Sequence, residues 1–302
     1  MRVAVTGAGG QLGVDLIREI RRSAHEAVAW TRADLDVECP DQVRRALDAA
    51  QPELVVHAAA YTAVDRAEAE PERAYAVNDT GTANVARACA RAVVPFIYVS
   101  TDYVFDGAKR SPYEPHDEPR PLNVYGASKL AGERRVQETD GDWLIVRTSW
   151  VYGAQGPNFV RTILGLARER DRLRVVDDQV GSPTWTVSLA RTLVQLATTR
   201  ARGVLHVTDR TLAPDGTVGI SWHAFARAIV EEAGCDVRVE RISTEDMPRP
   251  AVRPRYSVLD VRAAELVLGA PLPGWQSSLA AALREMGAGE PAFGRAVEAR
   301  VS

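Results

Sequence analysis

Lysine is nearly absent from this sequence. The chain has 302 residues and 37 basic ones, yet only Lys109 and Lys129 are lysines, and the other 35 are arginines. A bias of this size reflects the coding genome and excludes no function by itself. It does make each remaining lysine a candidate for a position where a planar guanidinium cannot replace a compact ammonium group.

Three further absences narrow the class of protein. The three cysteines, Cys39, Cys89 and Cys235, have no metal-like spacing and predict neither a disulfide framework nor a metal site. No apolar run approaches the ~20 residues of a membrane span, and a strand predicted from Arg2 leaves no room for a signal peptide. A net charge of −3 does not support nucleic-acid binding. We expect a cytoplasmic globular protein.

Short apolar runs alternate with helical patterns along the chain. The early runs are continuous, as in strands that are buried on both faces. Repeated β-α-β units predict a doubly wound parallel sheet, a Rossmann-like α/β fold with helices on both sides. The predicted strands are residues 2–6, 27–30, 54–57, 96–100, 143–147, 174–176 and 204–207.

The pattern loosens after Trp150, which predicts a smaller C-terminal substrate domain interleaved with the first. Residues 1–149 plus about 173–219 are assigned to the dinucleotide-binding domain, since segments near 174 and 204 resemble members of its sheet. Residues about 150–172 plus 220–302 form the substrate domain. Its predicted elements are helices at 221–232, 261–268 and 277–286 and a strand at 237–242.

A glycine-rich turn follows the first strand. Gly7, Gly10 and Gly13 are spaced by three residues between an apolar strand and a helix. Glycine in this context permits a tight turn, close approach of a pyrophosphate and close helix–strand packing. Amide groups at the start of the helix then face the phosphates. The turn predicts a dinucleotide site.

The end of the second strand bears on the choice of cofactor. NAD-binding domains often carry an acidic residue there for the ribose 2′-hydroxyl. This chain has Arg32, which favours the 2′-phosphate of NADP, although a chance arginine is a serious alternative in so arginine-rich a chain. Asp36 is placed to reach the adenine. We predict NADPH and leave NADH open.

A Tyr-x-x-x-Lys motif carries the chemistry. Tyr125 and Lys129 lie one helical turn apart, on one helix face. A nearby ammonium stabilises a phenolate and is expected to lower the tyrosine pKa, and the same lysine can bind the nicotinamide ribose. Thr101 leaves the carboxyl end of a predicted strand, where it can donate a hydrogen bond to a substrate carbonyl.

Together these residues resemble the extended short-chain dehydrogenase/reductase superfamily, and longer strings resemble the dTDP-4-dehydrorhamnose reductase group within it. The resemblance runs from residue 1 to about 190 and thins beyond. The strings are residues 57–65, 77–78, 100–107, 121–126, 147–153 and 178–184. Sugar-nucleotide dehydratases of this superfamily have Thr-Asp-Glu after the fourth strand. Here Tyr103 follows Thr101 and Asp102, so the resemblance favours hydride transfer without water elimination.

The resemblance also implies roles for single residues. The catalytic set is Thr101, Tyr125 and Lys129. The cofactor set is Gly7, Gly10, Gln11 and Leu12 at the pyrophosphate, Arg32 and Asp36 at the adenosine end, Ala58, Ala59 and Ala60 along the groove, and Lys129. The substrate set is Thr62, Val64, Tyr103, Tyr125 and Trp150. Asp102 receives no role, and Trp222 is interpreted as a core residue.

The implied activity is NADPH-dependent reduction of the C4 keto group of a nucleotide-linked 4-keto-6-deoxysugar. The leading case is dTDP-4-dehydrorhamnose; a dihydrostreptose-type or other antibiotic deoxysugar reductase is an alternative. A different class, a non-catalytic NADP-binding subunit like that of methionine adenosyltransferase, also stays open. The expected partner is a nucleotide-diphosphate sugar, without nucleic acid or membrane. The chain is expected to be a monomer or homodimer, and a magnesium requirement stays open.

Overall fold

The computed structural model describes residues 1–213 and 216–288. Within these residues the strands are, in chain order, β1 (Arg2–Thr6), β2 (Glu26–Trp30), β3 (Leu54–His57), β4 (Phe96–Thr101), β5 (Trp143–Thr148), β6 (Val151–Tyr152), β7 (Arg172–Val176), β8 (Val180–Gly181), β9 (Thr184–Trp185), β10 (Gly203–His206), β11 (Ile220–Ser221) and β12 (Arg238–Ile242). The early strands coincide with the continuous apolar runs of the sequence to within one residue at each end.

The α-helices of the same residues alternate with these strands. They are α1 (Gln11–Arg22), α2 (Pro40–Ala50), α3 (Val64–Ala67), α4 (Pro71–Tyr75), α5 (Thr82–Ala92), α6 (Val124–Gln137), α7 (Phe159–Glu169), α8 (Thr186–Leu196), α9 (Trp222–Glu232), α10 (Arg262–Leu268) and α11 (Trp275–Glu285). A π-helical turn, Ala76–Gly81, joins α4 to α5, and a 3₁₀ turn, Asp102–Val104, follows β4. No helix of the described residues has the length and apolarity needed to span a bilayer.

Six strands form one parallel sheet in the order β2-β1-β3-β4-β5-β10. The chain places β2 on one side of β1 and then crosses to β3 on the other, so the strand order reverses between β1 and β3. In open α/β sheets, ligands bind outside the carboxyl ends of the strands at such a reversal. The predicted Rossmann-like fold is confirmed, and it places the glycine turn after β1 beside the segment after β3.

Both faces of the sheet are covered by apolar packing. Val3 and Val5 of β1 point to the face covered by α1 and α8, whereas Ala4 points to the face covered by α2 and α5. Successive strand side chains alternate between faces, and here both faces are apolar. This explains why the sequence of the early strands reads as continuous apolar runs.

One predicted sheet member lies elsewhere. The segment near residue 174 is a strand, β7, but it pairs in parallel with β12 and not with the six-stranded sheet. Leu173 and Val175 of β7 pack into a separate apolar cluster with α7, α9 and α11. The prediction of a strand near residue 174 is therefore confirmed, but its assignment to the main sheet is wrong. A short apolar run predicts a strand without specifying the strand with which it pairs. The segment at 204 does join the sheet, as β10.

The predicted C-terminal elements are present where the structure describes the chain. Ser221 caps α9 by accepting a hydrogen bond from the Ala224 amide at 3.0 Å, and Gly234 follows the helix with φ of 65°. Helices α10 and α11 and strand β12 match the other predictions to within two residues at each end. The part of the predicted substrate domain at 289–302 lies outside the described residues.

Candidate active site

Two glycines where β1 is followed by α1 have no room for a side chain, Gly7 in the turn and Gly13 in the first turn of the helix. Gly7 has φ of 68°, and a Cβ there would lie 2.7 Å from the Ala59 backbone. A Cβ on Gly13 would lie 2.2 Å from the carbonyl oxygen of Gly7. The glycine spacing therefore serves the close helix–strand packing that it predicted, and it sets the turn directly against the segment after β3.

A cavity of about 440 Å³ opens beside this turn, at the carboxyl edge of the sheet. Its volume is within the usual range for small-molecule sites. The predicted site residues that line it are Gly10, Gln11, Leu12, Ala60, Thr62, Val64, Thr101, Tyr103, Tyr125, Lys129 and Trp150. Residues far apart in the sequence thus converge on one cavity. A groove of about 480 Å³ between α2 and α5 contains none of them.

The remaining predicted cofactor residues lie outside the cavity lining. Gly7 and Ala59 pack against each other beneath the turn, with Ala58 next to them. Arg32 is exposed just beyond β2, next to Thr31, whose methyl group lies near Gly9. The Asp36 carboxylate accepts a hydrogen bond from the Glu38 amide at 3.0 Å. The structure therefore leaves the adenosine roles of Arg32 and Asp36 as predictions.

Helix α6 brings the tyrosine and the lysine to the cavity. Its N-terminus is capped by Asn123, whose side-chain oxygen accepts from the Gly126 amide at 2.8 Å. A Cβ on Gly126 would lie 2.1 Å from the Tyr103 carbonyl oxygen, so the helix packs directly on the turn after β4. The ring of Tyr125 meets that of Tyr103 edge to face, with centroids 5.6 Å apart. The Thr101 hydroxyl, which donates to Asp102 at 3.1 Å, lies beside the phenol of Tyr125.

The pKa of Tyr125 differs in direction from the sequence-based expectation. Burial raises it to about 12, and the neighbouring Thr101 hydroxyl offsets only part of that rise. Lys129 does not depress it, because burial lowers the pKa of Lys129 itself to about 7, against the opposing effect of Glu133. The ammonium nitrogen donates to the Val99 carbonyl oxygen at 2.8 Å and lies 4.1 Å from the centroid of the Tyr98 ring. The expected lowering was wrong for this geometry because desolvation dominates both groups.

Asp102, which the sequence left without a role, is buried at the cavity. One carboxylate oxygen accepts from the Thr101 hydroxyl at 3.1 Å. Burial raises its pKa to about 7, with Ser257 and Thr101 acting against the rise. Ser257 comes from the C-terminal part of the chain, so this carboxyl group lies where the two parts of the molecule meet.

A buried ion pair fixes the back of α6. Glu133, two turns after Tyr125, accepts from Arg147 of β5 at 2.9 and 2.7 Å and from Ser100 of β4 at 2.5 Å. The side chains of Glu133 and Arg147 are only 1% and 3% exposed. These bonds hold the helix that carries Tyr125 to the strand that ends in Thr101.

Two site features were missed or misassigned from the sequence. Trp222 was interpreted as core; it does pack on the C-terminal apolar cluster, but it also lines the cavity beside Trp150. Arg253 forms a paired ion bridge with Asp65, at 2.9 and 3.0 Å, next to the cavity residue Val64. From the sequence, Arg253 is a candidate for holding a substrate diphosphate, with an exposed loop as the alternative, whereas the structure pairs it with Asp65. Trp222 carries no spacing signal in the sequence.

Comparison with known proteins agrees with this geometry. The family model described as "RmlD substrate binding domain" matches residues 1–288. A dTDP-4-dehydrorhamnose reductase of Mycobacterium tuberculosis is 45% identical over 93% of this chain and 92% of its own length. One of Burkholderia thailandensis is 40% identical over 95% of this chain and 99% of its own.

The solved structure of a relative has the same fold. It is the dTDP-4-dehydrorhamnose reductase of Bacillus anthracis in complex with NADP, with a TM-score of 0.89 and 38% identity, covering 94% of this chain and 99% of that one. A UDP-glucose 4-epimerase of Thermus thermophilus, at 22% identity and a TM-score of 0.79, shares the fold. This chain belongs to the RmlD substrate binding domain family, in which several of its relatives are dTDP-4-dehydrorhamnose reductases.

Proposed function

We propose that the protein reduces the C4 keto group of a nucleotide-linked 4-keto-6-deoxysugar with NADPH, and that dTDP-4-dehydrorhamnose, giving dTDP-rhamnose, is the substrate. The observation that carries the proposal is the convergence of Thr101, Tyr125 and Lys129 on one cavity with the glycine turn. Relatives at 40–45% identity are named for this reaction. The chain is accordingly an oxidoreductase, and a binding subunit would have no use for the three convergent groups.

The residues around the turn fit a dinucleotide. The N-terminus of α1 points its amides and the positive end of its dipole toward an anion at Gly10, Gln11 and Leu12. Gly7 allows the turn to stay close to Ala59, which leaves room for a pyrophosphate above it. The residues proposed to hold NADPH are Gly7, Gly10, Gln11, Leu12, Arg32, Asp36, Ala58, Ala59, Ala60 and Lys129. When bound, NADPH supplies the hydride that the C4 carbonyl carbon receives.

Tyr125 acts as the general acid. Its raised pKa keeps the phenol protonated near neutral pH, so that it can donate a proton to the C4 oxygen as negative charge develops there. Thr101 lies beside the phenol and lines the same cavity, where it can orient the same oxygen. Lys129 lines the same cavity and carries its charge only in part near neutral pH, because burial lowers its pKa to about 7. Thr62, Val64, Tyr103 and Trp150 enclose the sugar, since they line the same cavity.

The acid role predicts the behaviour of Tyr125→Phe. Phenylalanine keeps the ring packed against Tyr103 and removes only the proton donor. We expect NADPH affinity to stay within about twofold and turnover to fall by about 10²–10⁴-fold, the usual contribution of a general acid. Binding is measured by fluorescence titration and turnover by the loss of NADPH absorbance. Retention of full turnover by this variant would remove Tyr125 from the mechanism.

The reaction itself is tested with a panel of dTDP-4-keto sugars. We expect dTDP-4-dehydrorhamnose to give the highest kcat/KM, with dTDP-rhamnose as the product identified by NMR, and NADPH to be preferred over NADH. A higher kcat/KM with a streptose-type keto sugar would reassign the substrate within the same chemistry. Tight NADPH binding without turnover of any sugar would instead support a non-catalytic NADP-binding subunit.

The division of the chain into a dinucleotide-binding and a substrate domain belongs to the same proposal. It is supported by separate apolar clusters on the six-stranded sheet and around α7, α9 and α11. The pairing of β7 with β12 moves the segment near 174 to the substrate side. Location in the cytoplasm and a monomeric or homodimeric state remain proposals drawn from the sequence, and a magnesium requirement remains open.

A further inference from the structure

Two indole rings stack face to face at the wall of the cavity. The ring centroids of Trp150 and Trp222 are 3.5 Å apart, and the ring planes differ by only 6°. Both residues are half-buried and both line the cavity that contains Thr101, Tyr125 and Lys129. Trp150 follows β5 of the sheet, whereas Trp222 is the first residue of α9. The stack therefore joins the two parts of the molecule at the site of the chemistry.

The backbone at Trp150 adopts a strained conformation in this stack. Trp150 has φ of 47°, in the left-handed region that bulky residues rarely adopt. Its indole lies against Gly181, where a Cβ would come within 2.4 Å of the ring. Aromatic pairs prefer offset or edge-to-face contacts with centroids about 4.5–7 Å apart. The close, parallel stack and the strained backbone at Trp150 are therefore not explained by the preferences of the two rings alone. Backbone strain of this kind is concentrated at ligand sites.

We propose that Trp222 determines specificity: with Trp150 it forms the apolar wall that receives the C6 methyl group of the sugar. This inference rests on the proposed function and goes beyond it, because it assigns to α9 the recognition of the 6-deoxy position.

The position of the reacting atoms selects this part of the substrate. Tyr125 has to be within hydrogen-bond reach of the oxygen on C4. C6 is only two carbon–carbon bonds from C4, so it must lie in the same cavity as Tyr125. The nucleotide base is separated from C4 by a ribose, a diphosphate and part of the sugar ring, and it reaches past the cavity. The wall beside the catalytic groups therefore faces the methyl group and not the base.

The chemistry of the wall suits a methyl group and disfavours a hydroxyl. The Trp222 ring packs between aromatic neighbours, with the centroids of Trp150 and Phe159 at 3.5 and 4.5 Å, so carbon atoms surround it. The cavity lining also includes the apolar residues Val64, Val151 and Pro157, whereas its polar groups include Thr101 and Asp102 at the end of β4. A hydroxyl group at C6 would lose hydrogen bonds to water on entering such a wall, whereas a methyl group gains contact.

The test compares two nucleotide sugars that share the ring configuration of the proposed product and differ by one hydroxyl group at C6, dTDP-L-mannose and dTDP-L-rhamnose. Their affinities are measured by calorimetry on the NADP complex of the wild-type protein and of Trp222→Ala and Trp222→Phe. We expect the wild type to prefer the 6-deoxy sugar about 10–100-fold, the range over which apolar pockets discriminate. Trp222→Ala should reduce the preference to less than about threefold, and Trp222→Phe should keep an intermediate preference.

Trp275 supplies a matched control. It is also the first residue of a helix, α11, and packs on Phe225 of the same apolar cluster, but it does not line the cavity. Trp275→Ala should lower the melting temperature and leave the 6-deoxy preference unchanged. The proposal is overturned if Trp222→Ala keeps the full preference for the 6-deoxy sugar, or if it weakens the binding of both sugars equally, as loss of packing alone does.

Circular dichroism shows whether the stack exists in solution, without any assay of activity. Closely stacked indoles couple their excited states, so we expect an exciton couplet that disappears in Trp222→Phe and in Trp150→Phe but persists in Trp275→Phe. Absence of the couplet from the wild type would overturn the proposal. The NADPH assay distinguishes failure of this proposal from failure of the proposed function. If the wild type turns over the keto sugar but Trp222→Ala keeps the full preference for the 6-deoxy sugar, only the role of Trp222 is rejected.

Discussion

The two lysines of the chain differ in what surrounds them. Lys109 is about one-third exposed and pairs with Asp117 at 2.5 Å, across the proline-rich loop before α6. Lys129 is 2% exposed and is held between the Val99 carbonyl oxygen and the face of the Tyr98 ring. A guanidinium can replace the first ammonium at the surface, but it is too large and too planar for the second site. The scarcity of lysine therefore marks one position that needs this side chain.

Substitution of each lysine by arginine tests this difference. We expect Lys129→Arg to reduce turnover at least about 100-fold and to destabilise the fold by roughly 1–3 kcal/mol, as overpacking of a core usually does. Lys109→Arg is the control and should change stability by less than about 0.5 kcal/mol. Thermal unfolding and NADPH oxidation measure the two effects. Equal tolerance of arginine at both positions would contradict a special role for Lys129.

At the scale of elements, α6 is the part on which the site depends. Its outer surface is tied to the π-helical turn after α4, where buried Asn78 donates to Ser128 at 2.9 Å. Its inner surface is tied to β4 and β5 through Glu133, Ser100 and Arg147. Because these contacts fix the helix on two sides, Tyr125 and Lys129 are set relative to Thr101 by packing and not by the loop that precedes them.

The Glu133–Arg147 pair has a stability effect and an electrostatic effect that can be separated. Glu133→Gln leaves a buried arginine without its partner and should cost about 3–5 kcal/mol in denaturant unfolding. Glu133→Leu with Arg147→Met removes both charges, and we expect most of that stability to return, since well-packed apolar replacement of a buried pair is often neutral.

The pH dependence of NADPH affinity should nevertheless differ between the double variant and the wild type. Glu133 raises the pKa of Lys129 against the effect of burial. Without that carboxylate the pKa falls below about 7, and the ammonium form, present only below its pKa, is lost at lower pH. We therefore expect the decline in NADPH affinity with rising pH to begin at lower pH than in the wild type. An unchanged pH profile in a stable double variant would contradict this electrostatic role.

At the scale of the whole molecule, the segment 251–257 ties the C-terminal part to the sheet domain. Val252 accepts from Asn123, the cap of α6, at 2.8 Å, and Val180 of β8 donates to the Arg255 carbonyl oxygen at 2.8 Å. The bidentate salt bridge between Arg253 and Asp65 lies beside the cavity. The hydrogen bonds and charge of Arg253 hold the pKa of Asp65 below its usual range. The segment therefore closes one side of the site.

Asp65→Asn should loosen this closure. We expect kcat/KM for the keto sugar to fall by about tenfold and NADPH affinity to stay unchanged, because the bridge lies beside Val64 and Tyr103 and not beside the glycine turn. A double-mutant cycle with Arg253→Ala should give a coupling of about 0.5–3 kcal/mol, as for residues in contact. Because the pKa of Asp65 is depressed, the stabilisation by its ion pair with Arg253 is fully present at pH values above the ordinary pKa of an aspartate. It is lost as the pH falls through the lowered pKa of Asp65.

Arg249 provides the control for this cycle. It also faces Asp65, but at 3.9 Å and with a side chain that is 55% exposed. Arg249→Ala should therefore change neither kcat/KM nor stability by a measurable amount, as is common for exposed pairs. If Arg249→Ala reproduces the effect of Asp65→Asn, the closure depends on charge in general and not on the paired bridge.

The sequence by itself determined the features whose signals lie within one element or one turn. Continuous apolar runs identified the strands of the sheet, glycine spacing identified the turn after β1, and the four-residue step of Tyr125 and Lys129 placed both on one helix face. These are local properties, set by backbone geometry and by the burial of both sheet faces. The resemblance carried by such strings was sufficient to identify the family.

Only the tertiary structure decided what depends on contacts between distant residues. It paired β7 with β12, brought Trp222 to the cavity and joined Arg253 to Asp65. It also reversed the expected direction for Tyr125, because a pKa follows from desolvation by the whole surrounding structure and not from the spacing of two residues. A linear pattern specifies which elements form; burial and partner choice are properties of their packing.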